Sequence, residues 1–280
     1  MAPRAHRAGQ RQGRRAMLME VLFERPVTDY LRDAAIGTDP CVFVHIPKTA
    51  GTSLRTELAA LLEPSASIAV DAADGRPDFR ARMDDAVEQF LKDGGPAGIR
   101  FVSGHLLARH AARLRSHYTD ARFVTLLRNP VDRVVSDYRH QRSPRNPLQA
   151  DFTARFPTLK DYVDFAPEQN RMARHLVPDP LLASGRAAAC IAYIMRAYAF
   201  VGIQEMYEVS FLTVTALSGR PRLPSLRINV NEDDEDERRV TTAMAQYIGQ
   251  ANRLDVAIYD HFHARLAGAA PALSAVLAAA

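Results

Sequence analysis

Lys48, Gly51, Thr52 and Ser53 fall within one short turn of residues 41–58, CVFVHIPKTAGTSLRTEL, between an apolar run and an amphipathic one. An ammonium, two hydroxyls and a glycine that lets backbone approach a ligand are the parts of an anion cradle. Val42, Phe43, Val44 and Ile46 before the turn read as a strand buried on both faces. Leu54, Leu58, Leu61 and Leu62 after it recur at helical spacing. The turn therefore lies at a helix N-terminus, where unsatisfied N–H groups and the positive dipole end favour an anion. A surface lysine beside an ordinary strand-to-helix turn is the plain alternative.

The turn is not the usual nucleotide loop. In G-x-x-x-x-G-K-[ST] the lysine follows the glycine, whereas Lys48 precedes Gly51 by three positions, which disfavours an ordinary ATPase or GTPase. Lysine is also scarce: of 36 basic residues only Lys48, Lys92 and Lys160 are lysine. A compact ammonium gives a bridging or leaving oxygen a point charge that a planar guanidinium does not.

Residues 121–142, ARFVTLLRNPVDRVVSDYRHQR, repeat the logic. A buried run over 123–127 meets the turn Arg128-Asn129-Pro130, and a helix starts near Val131 with Pro130 at its mouth. Val131, Val134, Val135 and Tyr138 make its apolar face. Arg133, Ser136 and His140 fall three and four apart on another face, and Arg128 and Ser136 can approach one phosphate. Taken alone, an arginine-rich helix is more simply a solvated face with ion pairs.

Together, P-K-T-A-G-T-S after one strand and R-N-P-x-x-R-x-x-S after a later one resemble the two signatures of sulfotransferases that use 3′-phosphoadenosine 5′-phosphosulfate (PAPS). The wording HIPKTAGTS, with a G-H pair before the R-N-P segment, resembles most the carbohydrate sulfotransferase family 2, which includes heparan sulfate 2-O-sulfotransferase. The resemblance implies that Lys48, Thr49, Ala50, Gly51, Thr52 and Ser53 grip the 5′-phosphosulfate, and that Arg128 and Ser136 grip the 3′-phosphate. It further implies that His105, in Ser103-Gly104-His105, is the catalytic base. Asn170 to Leu176 resembles the family's N-x-Q-T-R-x-L segment, with Met172 for Gln and Ala173 for Thr. Val201-Gly202-Ile203-Gln204-Glu205 resembles V-G-x-x-E, and Asn252 to Phe262 resembles N-x-x-D-x-x-L-Y-x-x-F, with Ile258 for Leu. The resemblance spans 41–266, with specific motifs only in the first half.

The residues around these motifs form an alternating series. Residues 27–36 read as a lead-in helix, 68–70 as a short strand, 79–92 as a helix stopped by Gly94-Gly95-Pro96, and 99–102 as another buried strand. His105 then lies beyond the carboxyl end of a strand, where an open α/β sheet exposes its ligand face; His110, His117 and His140 are the nearby alternatives. Thr158 reads as the N-cap of a helix through Phe165. Residues 168–176, 187–197 and 204–217 read as helices and 198–203 as a strand. The expected fold is α/β, P-loop-like and three-layered, with a central parallel sheet between helices. One domain covers 37–268, after a basic arm and lead-in helix (1–36) and before an Ala-rich tail (269–280).

Composition bounds the partners. A net charge of +4 without clustered Lys/Arg and interleaved aromatics does not describe a nucleic-acid groove. Residues 1–15 carry five arginines and no acid, and read as a disordered, solvated arm. Residues 17–23, interrupted by Glu20, are too short for a signal sequence or a membrane span. Cys41 and Cys190, one in a strand and one in a helix, read as free thiols of a reducing compartment. With no N-terminal anchor of the kind the animal Golgi members carry, the resemblance points to a bacterial-type cytoplasmic enzyme. Arg142, Arg145 and Arg155, in the loop-rich stretch 141–165, are candidates to meet an acidic sugar or simply a solvated loop. The acids of 231–237 are contiguous, lack the alternating ligands of a calcium loop, and read as a solvated helix start. No metal-ligand cluster is found, and the scheme requires none.

The expected reaction is in-line transfer of a sulfuryl group from PAPS to the hydroxyl of a small-molecule or glycan acceptor, leaving 3′,5′-ADP. Lys48 would steady charge on the departing oxygen and His105 would take the acceptor's proton. A homo-oligomer is allowed. A phosphate-loop kinase using ATP and magnesium, and a non-catalytic binder of an anionic glycan, are the competing classes.

Overall fold

The computed structural model describes residues 18–70, 79–225 and 240–278. The arginine-rich arm, the loop expected over 71–78 and the acidic run over 231–237 lie outside the described residues.

Two short helices, α1 (Leu18–Glu24) and α2 (Val27–Asp33), lead into β1 (Cys41–Val44), the turn that carries Lys48, and α3 (Gly51–Leu61). There follow β2 (Ser65–Ile68), α4 (Phe79–Asp93), β3 (Phe101–Gly104), α5 (Ala108–His117), β4 (Arg122–Leu127) and α6 (Pro130–Gln141). A helical excursion, α7 (Gln149–Arg155), α8 (Leu159–Asp164), α9 (Arg171–Leu176), α10 (Asp179–Ala183) and α11 (Ala187–Ala197), then precedes β5 (Phe200–Ile203) and α12 (Tyr207–Leu217). The chain closes with α13 (Thr242–Ala251) and α14 (Arg253–Ala278).

The five strands make one parallel sheet in the order β2-β3-β1-β4-β5. A parallel sheet needs both faces covered, and its strands must be apolar throughout. Every residue of β1, β3 and β5 is buried, whereas the edge strand β2 carries Ser65 and Ser67 and is buried only at Ile68. The expected α/β architecture is the one observed. With β3 and β4 on either side of β1, the carboxyl ends of these three strands border the crevice where ligands bind in open sheets.

Register decides what meets there. Val44 pairs with Gly104 and with Thr125, so the residues one step beyond the ends of β1 and β3, His45 and His105, emerge side by side. The His45 N–H donates to the Gly104 carbonyl at 2.9 Å, and Thr125 Oγ1 donates to the Val44 carbonyl at 2.8 Å.

Several boundaries differ from the sequence reading. The edge strand is 65–68 instead of 68–70, and β3 runs two residues further than expected. The helix expected over 168–176 is broken by Asn170, which is left-handed at φ 50° and divides a 3₁₀ turn from α9. α7 and α13 were not expected. Residues 269–278, read as a tail, are the last turns of α14, and Leu273 and Leu277 are buried in the main core. α1 packs against α2, α11 and α14, and the Tyr30 hydroxyl donates to the Ala199 carbonyl at 2.9 Å.

Candidate active site

The loop after β1 is built from two left-handed residues, Lys48 (φ 69°) and Ala50 (φ 59°), flanking Thr49. Non-glycine residues rarely adopt this region, and where they do the surroundings hold them there. Thr49 is fully buried and its hydroxyl donates to the Ile46 carbonyl at 3.0 Å, closing the turn. Ala50 is the N-cap of α3 and offers no side-chain cap, so this helix begins with N–H groups for which its capping residue supplies no acceptor. Gly51 serves a closer neighbour than a ligand. A Cβ here would lie 2.2 Å from Cδ2 and 2.4 Å from Nε2 of His45.

His45 is therefore wedged under the loop. Its ring stacks on Phe43 at 5.4 Å and lies 4.4 Å from the ring of His105, centroid to centroid. Burial, with His105, Arg55 and His175 nearby, pushes its pKa down to about 2. His105 Nδ1 lies 2.9 Å from the His45 carbonyl oxygen. A carbonyl can only accept, so Nδ1 carries the proton and Nε2 keeps its lone pair. Burial lowers the pKa of His105; the His45 carbonyl opposes this, Arg171 and Arg55 add to it, and Asp137 opposes it. His175, pushed down to about 3 by burial, holds the Leu106 carbonyl with Nδ1 at 2.8 Å and fixes the chain just past His105. His110 is turned elsewhere: Nδ1 accepts from Leu107 N–H at 3.0 Å and Nε2 faces Asp84 at 2.7 Å. His117 packs edge-on against Tyr118 at the far end of α5.

The second segment is pinned at its turn. The Asn129 side chain caps α6 by accepting from Val131 and Asp132 N–H, and Asn129 N–H donates to Glu205 Oε1 at 2.8 Å. Arg128 reaches across to the first loop, its Nη1 donating to the Lys48 carbonyl at 3.2 Å. Lys48 is partly buried. Burial lowers its pKa, Asp137 opposes this, and Arg128 and Arg145 add to it. Ser136 is half-buried in α6, and His140, one turn on, lies within the electrostatic reach of Lys48, Asp137 and Arg145.

A model of the Sulfotransferase family matches residues 36–260, a span that begins just before β1 and ends within α14. The chain belongs to this family. Comparison with curated proteins finds no match. Among solved structures, the crystal structure of a sulfotransferase from Alicyclobacillus acidocaldarius is similar at 18% identity, over 80% of this chain and 96% of that one, with a TM-score of 0.47.

In this sulfotransferase-family chain the first-loop residues, Arg128 and His105 are gathered at one sheet edge, and Ser136 lies on α6, whose N-terminus adjoins it. Arg133 departs from its expected place. It is not on an outward face with Ser136 and His140 but fully buried, donating from Nη1 to Asp137 Oδ2 at 3.1 Å. Arg142 and Arg155 brace their own loop, the first donating to the Phe156 carbonyl at 3.1 Å and the second lying 4.5 Å over the Phe165 ring. Arg145 alone of the three acts on Lys48.

The later motif residues tie elements together. Asn170 Oδ1 accepts from Leu254 and Asp255 N–H, while Asp255 accepts from Met172 and Ala173 N–H. Each residue caps the other's helix. Gly202 lets β5 approach α12, since a Cβ would meet Ser210 at 2.8 Å. A cavity of about 340 Å³ opens two residues beyond His105, with Leu107, Arg109, Arg174 and Pro178 among its walls. His45, Arg55 and Asp137 are the site residues that sequence reasoning missed. His45 could have been found from its position at the end of the first strand, level with the end of the third. Asp137 is hidden among the charges of an arginine-rich helix.

Proposed function

We propose that the chain is a PAPS-dependent sulfotransferase that passes the sulfuryl group to a hydroxyl of an acceptor, a carbohydrate, in line and with His105 as base. One observation carries this reading: His105 is held by Nδ1 on the His45 carbonyl, so the free Nε2 belongs to the same sheet edge as the Lys48 loop. The residues suit an anionic nucleotide donor, because α3 opens without a side-chain cap behind two left-handed residues and a partly buried ammonium. PAPS supplies an activated sulfuryl group on a phosphosulfate.

In this reading residues 48–53 bind the 5′ end of the donor and Arg128 and Ser136 its 3′-phosphate. The Arg128 contact to the Lys48 carbonyl sets the two grips against each other. Lys48 stabilises negative charge on the departing oxygen, a contribution that typically amounts to about a hundredfold or more in rate. Nε2 of His105 accepts the acceptor's proton, worth roughly 10²–10⁴-fold. His105 is neutral in the working range because burial lowers its pKa, so no proton must be shed first. The scheme calls for no metal ion. Cys41 and Cys190 are buried free thiols, which supports a reducing, cytoplasmic setting. No helix among the described residues is long and apolar enough to cross a membrane.

Calorimetric titration with 3′,5′-ADP, beside 5′-AMP and ATP–Mg²⁺, tests the donor assignment in wild type and Arg128→Ala. The expected result is tight 3′,5′-ADP binding that is largely lost without the 3′-phosphate or without Arg128. Equal affinity for ATP–Mg²⁺ would overturn it.

A further inference from the structure

Two polar groups just past the carboxyl end of β5 have nothing to bond. Gln204 and Tyr207 are half-buried residues whose polar ends are buried: among the described residues, neither Gln204 Oε1 nor the Tyr207 hydroxyl has a hydrogen-bond partner. Folded chains keep few such groups, because each has given up water for no replacement. The unmet Tyr198 hydroxyl belongs to the opposite end of β5, and the unmet nitrogens of Arg133 and His261 to α6 and α14. Gln204 and Tyr207 stand three residues apart, where a 3₁₀ turn, Gln204–Met206, leads from β5 into α12. Burial raises the Tyr207 pKa and Glu57 adds to it, so the hydroxyl keeps its proton and is a donor. The Gln204 amide offers an acceptor and a donor together.

Register puts this turn next to the site. Leu127 pairs with Ile203, so the residues one step past β4 and β5, Arg128 and Gln204, emerge side by side. The two turns are tied together by the Asn129 N–H, which donates to Glu205 Oε1 at 2.8 Å. Arg128 is joined in turn to the Lys48 carbonyl at 3.2 Å. Along the carboxyl edge the order is therefore His105 on β3, the Lys48 loop on β1, Arg128 on β4 and Gln204 on β5. Neighbouring strands stand about 4.8 Å apart, which puts β5 roughly 10 Å from β1, a reach that a nucleoside covers.

On the reading that residues 48–53 and Arg128 hold the phosphates of the donor, we propose that Gln204 is the residue that reads the donor's adenine base. The ribose carries its base and its two phosphates on different carbons, so a donor pinned at β1 and β4 still has a base to place. The β3 side is taken by His105 and the acceptor. The β5 side holds two unmet polar groups. A side-chain amide matches adenine with both its atoms, the oxygen accepting from the exocyclic amine and the N–H donating to a neighbouring ring nitrogen. Guanine carries an oxygen where adenine carries that amine, and Gln204 Oε1 then faces a second acceptor. The Tyr207 hydroxyl is a further donor for a ring nitrogen.

Calorimetric titration with 3′,5′-ADP and with guanosine 3′,5′-bisphosphate, in wild type and Gln204→Leu, tests the assignment. The two nucleotides carry the same phosphates and differ only in the base. Wild type should prefer the adenine nucleotide by about tenfold or more, as expected of a matched amide–base pair. Gln204→Leu should weaken 3′,5′-ADP by about that factor and leave the guanosine nucleotide where it was, so that the preference disappears. The substitution removes an unmet group at similar size, and Gln204→Met, which keeps the length of the side chain, serves if the leucine variant does not fold. A wild type without preference, a folded variant that keeps the preference, or one that loses both nucleotides equally overturns the proposal and leaves the donor reading standing; Gln204 Oε1 then holds water or shapes the turn. If wild type binds neither bisphosphate, the donor reading fails and the proposal fails with it.

Discussion

Nδ1 of His105 lies 2.9 Å from the carbonyl oxygen of His45, the residue that its strand register places beside it. The contact settles which nitrogen is free, while burial, which outweighs the carbonyl's opposing effect, favours the neutral ring. As the proposed base, His105 is competent only when unprotonated, and burial lowers its pKa from the usual 6.5. The acid limb of kcat/KM should therefore lie below pH 6.5, and activity should be flat through neutrality. His105→Ala should cost at least a hundredfold in rate while 3′,5′-ADP binding, measured by calorimetry, is retained. An acid limb at or above pH 6.5, or wild-type turnover in the variant, would remove His105 from the mechanism.

The Gly51–His45 contact gives a second test. Adding one methyl at Gly51 puts it 2.2 Å from the His45 ring, and that ring has Phe43 and His105 on its other sides. Overpacking of this kind typically costs about 1–3 kcal/mol, here spent on displacing either the loop or the ring. Gly51→Ala should weaken 3′,5′-ADP binding by tenfold or more. His45→Ala in the same chain opens the space and should recover part of that loss. No recovery would mean that the glycine serves the ligand directly.

Legibility in the sequence followed physical origin. β1 with α3, and β4 with α6, could be read because parallel strands buried on both faces are continuous apolar runs, and the helices after them carry a clean period. His105 was found by its place beyond a strand. What escaped was decided by partners distant in sequence. Asn170 interrupts a helical pattern because its left-handed backbone lets Oδ1 cap α14, some eighty residues away. Arg133 looked solvated because nothing local announces that Asp137 is buried beside it. Residues 269–278 looked unspecific because alanine and Pro271 hide two core leucines.

The reciprocal caps of Asn170 and Asp255 carry a stability prediction. Removing the Asp255 carboxylate leaves the Met172 and Ala173 N–H groups buried without acceptors, and each unmet group costs roughly 1–3 kcal/mol. Asp255→Ala should lower the unfolding free energy by about 2–5 kcal/mol in urea titrations. Asp255→Asn, which keeps one acceptor oxygen, should lose less. Equal losses in the two variants would show that charge and not capping is what α9 requires.

The last turns of α14 can be judged by one leucine against another. Leu273 is 0% exposed in the main core, whereas Leu148, in the loop before α7, is 46% exposed. Truncating a buried leucine to alanine typically costs about 2–5 kcal/mol, from lost transfer energy and the cavity left behind. A surface substitution stays within about 0.5 kcal/mol. Leu273→Ala should therefore lower the urea midpoint clearly, with an unchanged slope, and Leu148→Ala should leave it in place. If both leave it in place, residues beyond 268 contribute nothing to the core, and the chain's packed domain ends where the sequence first suggested.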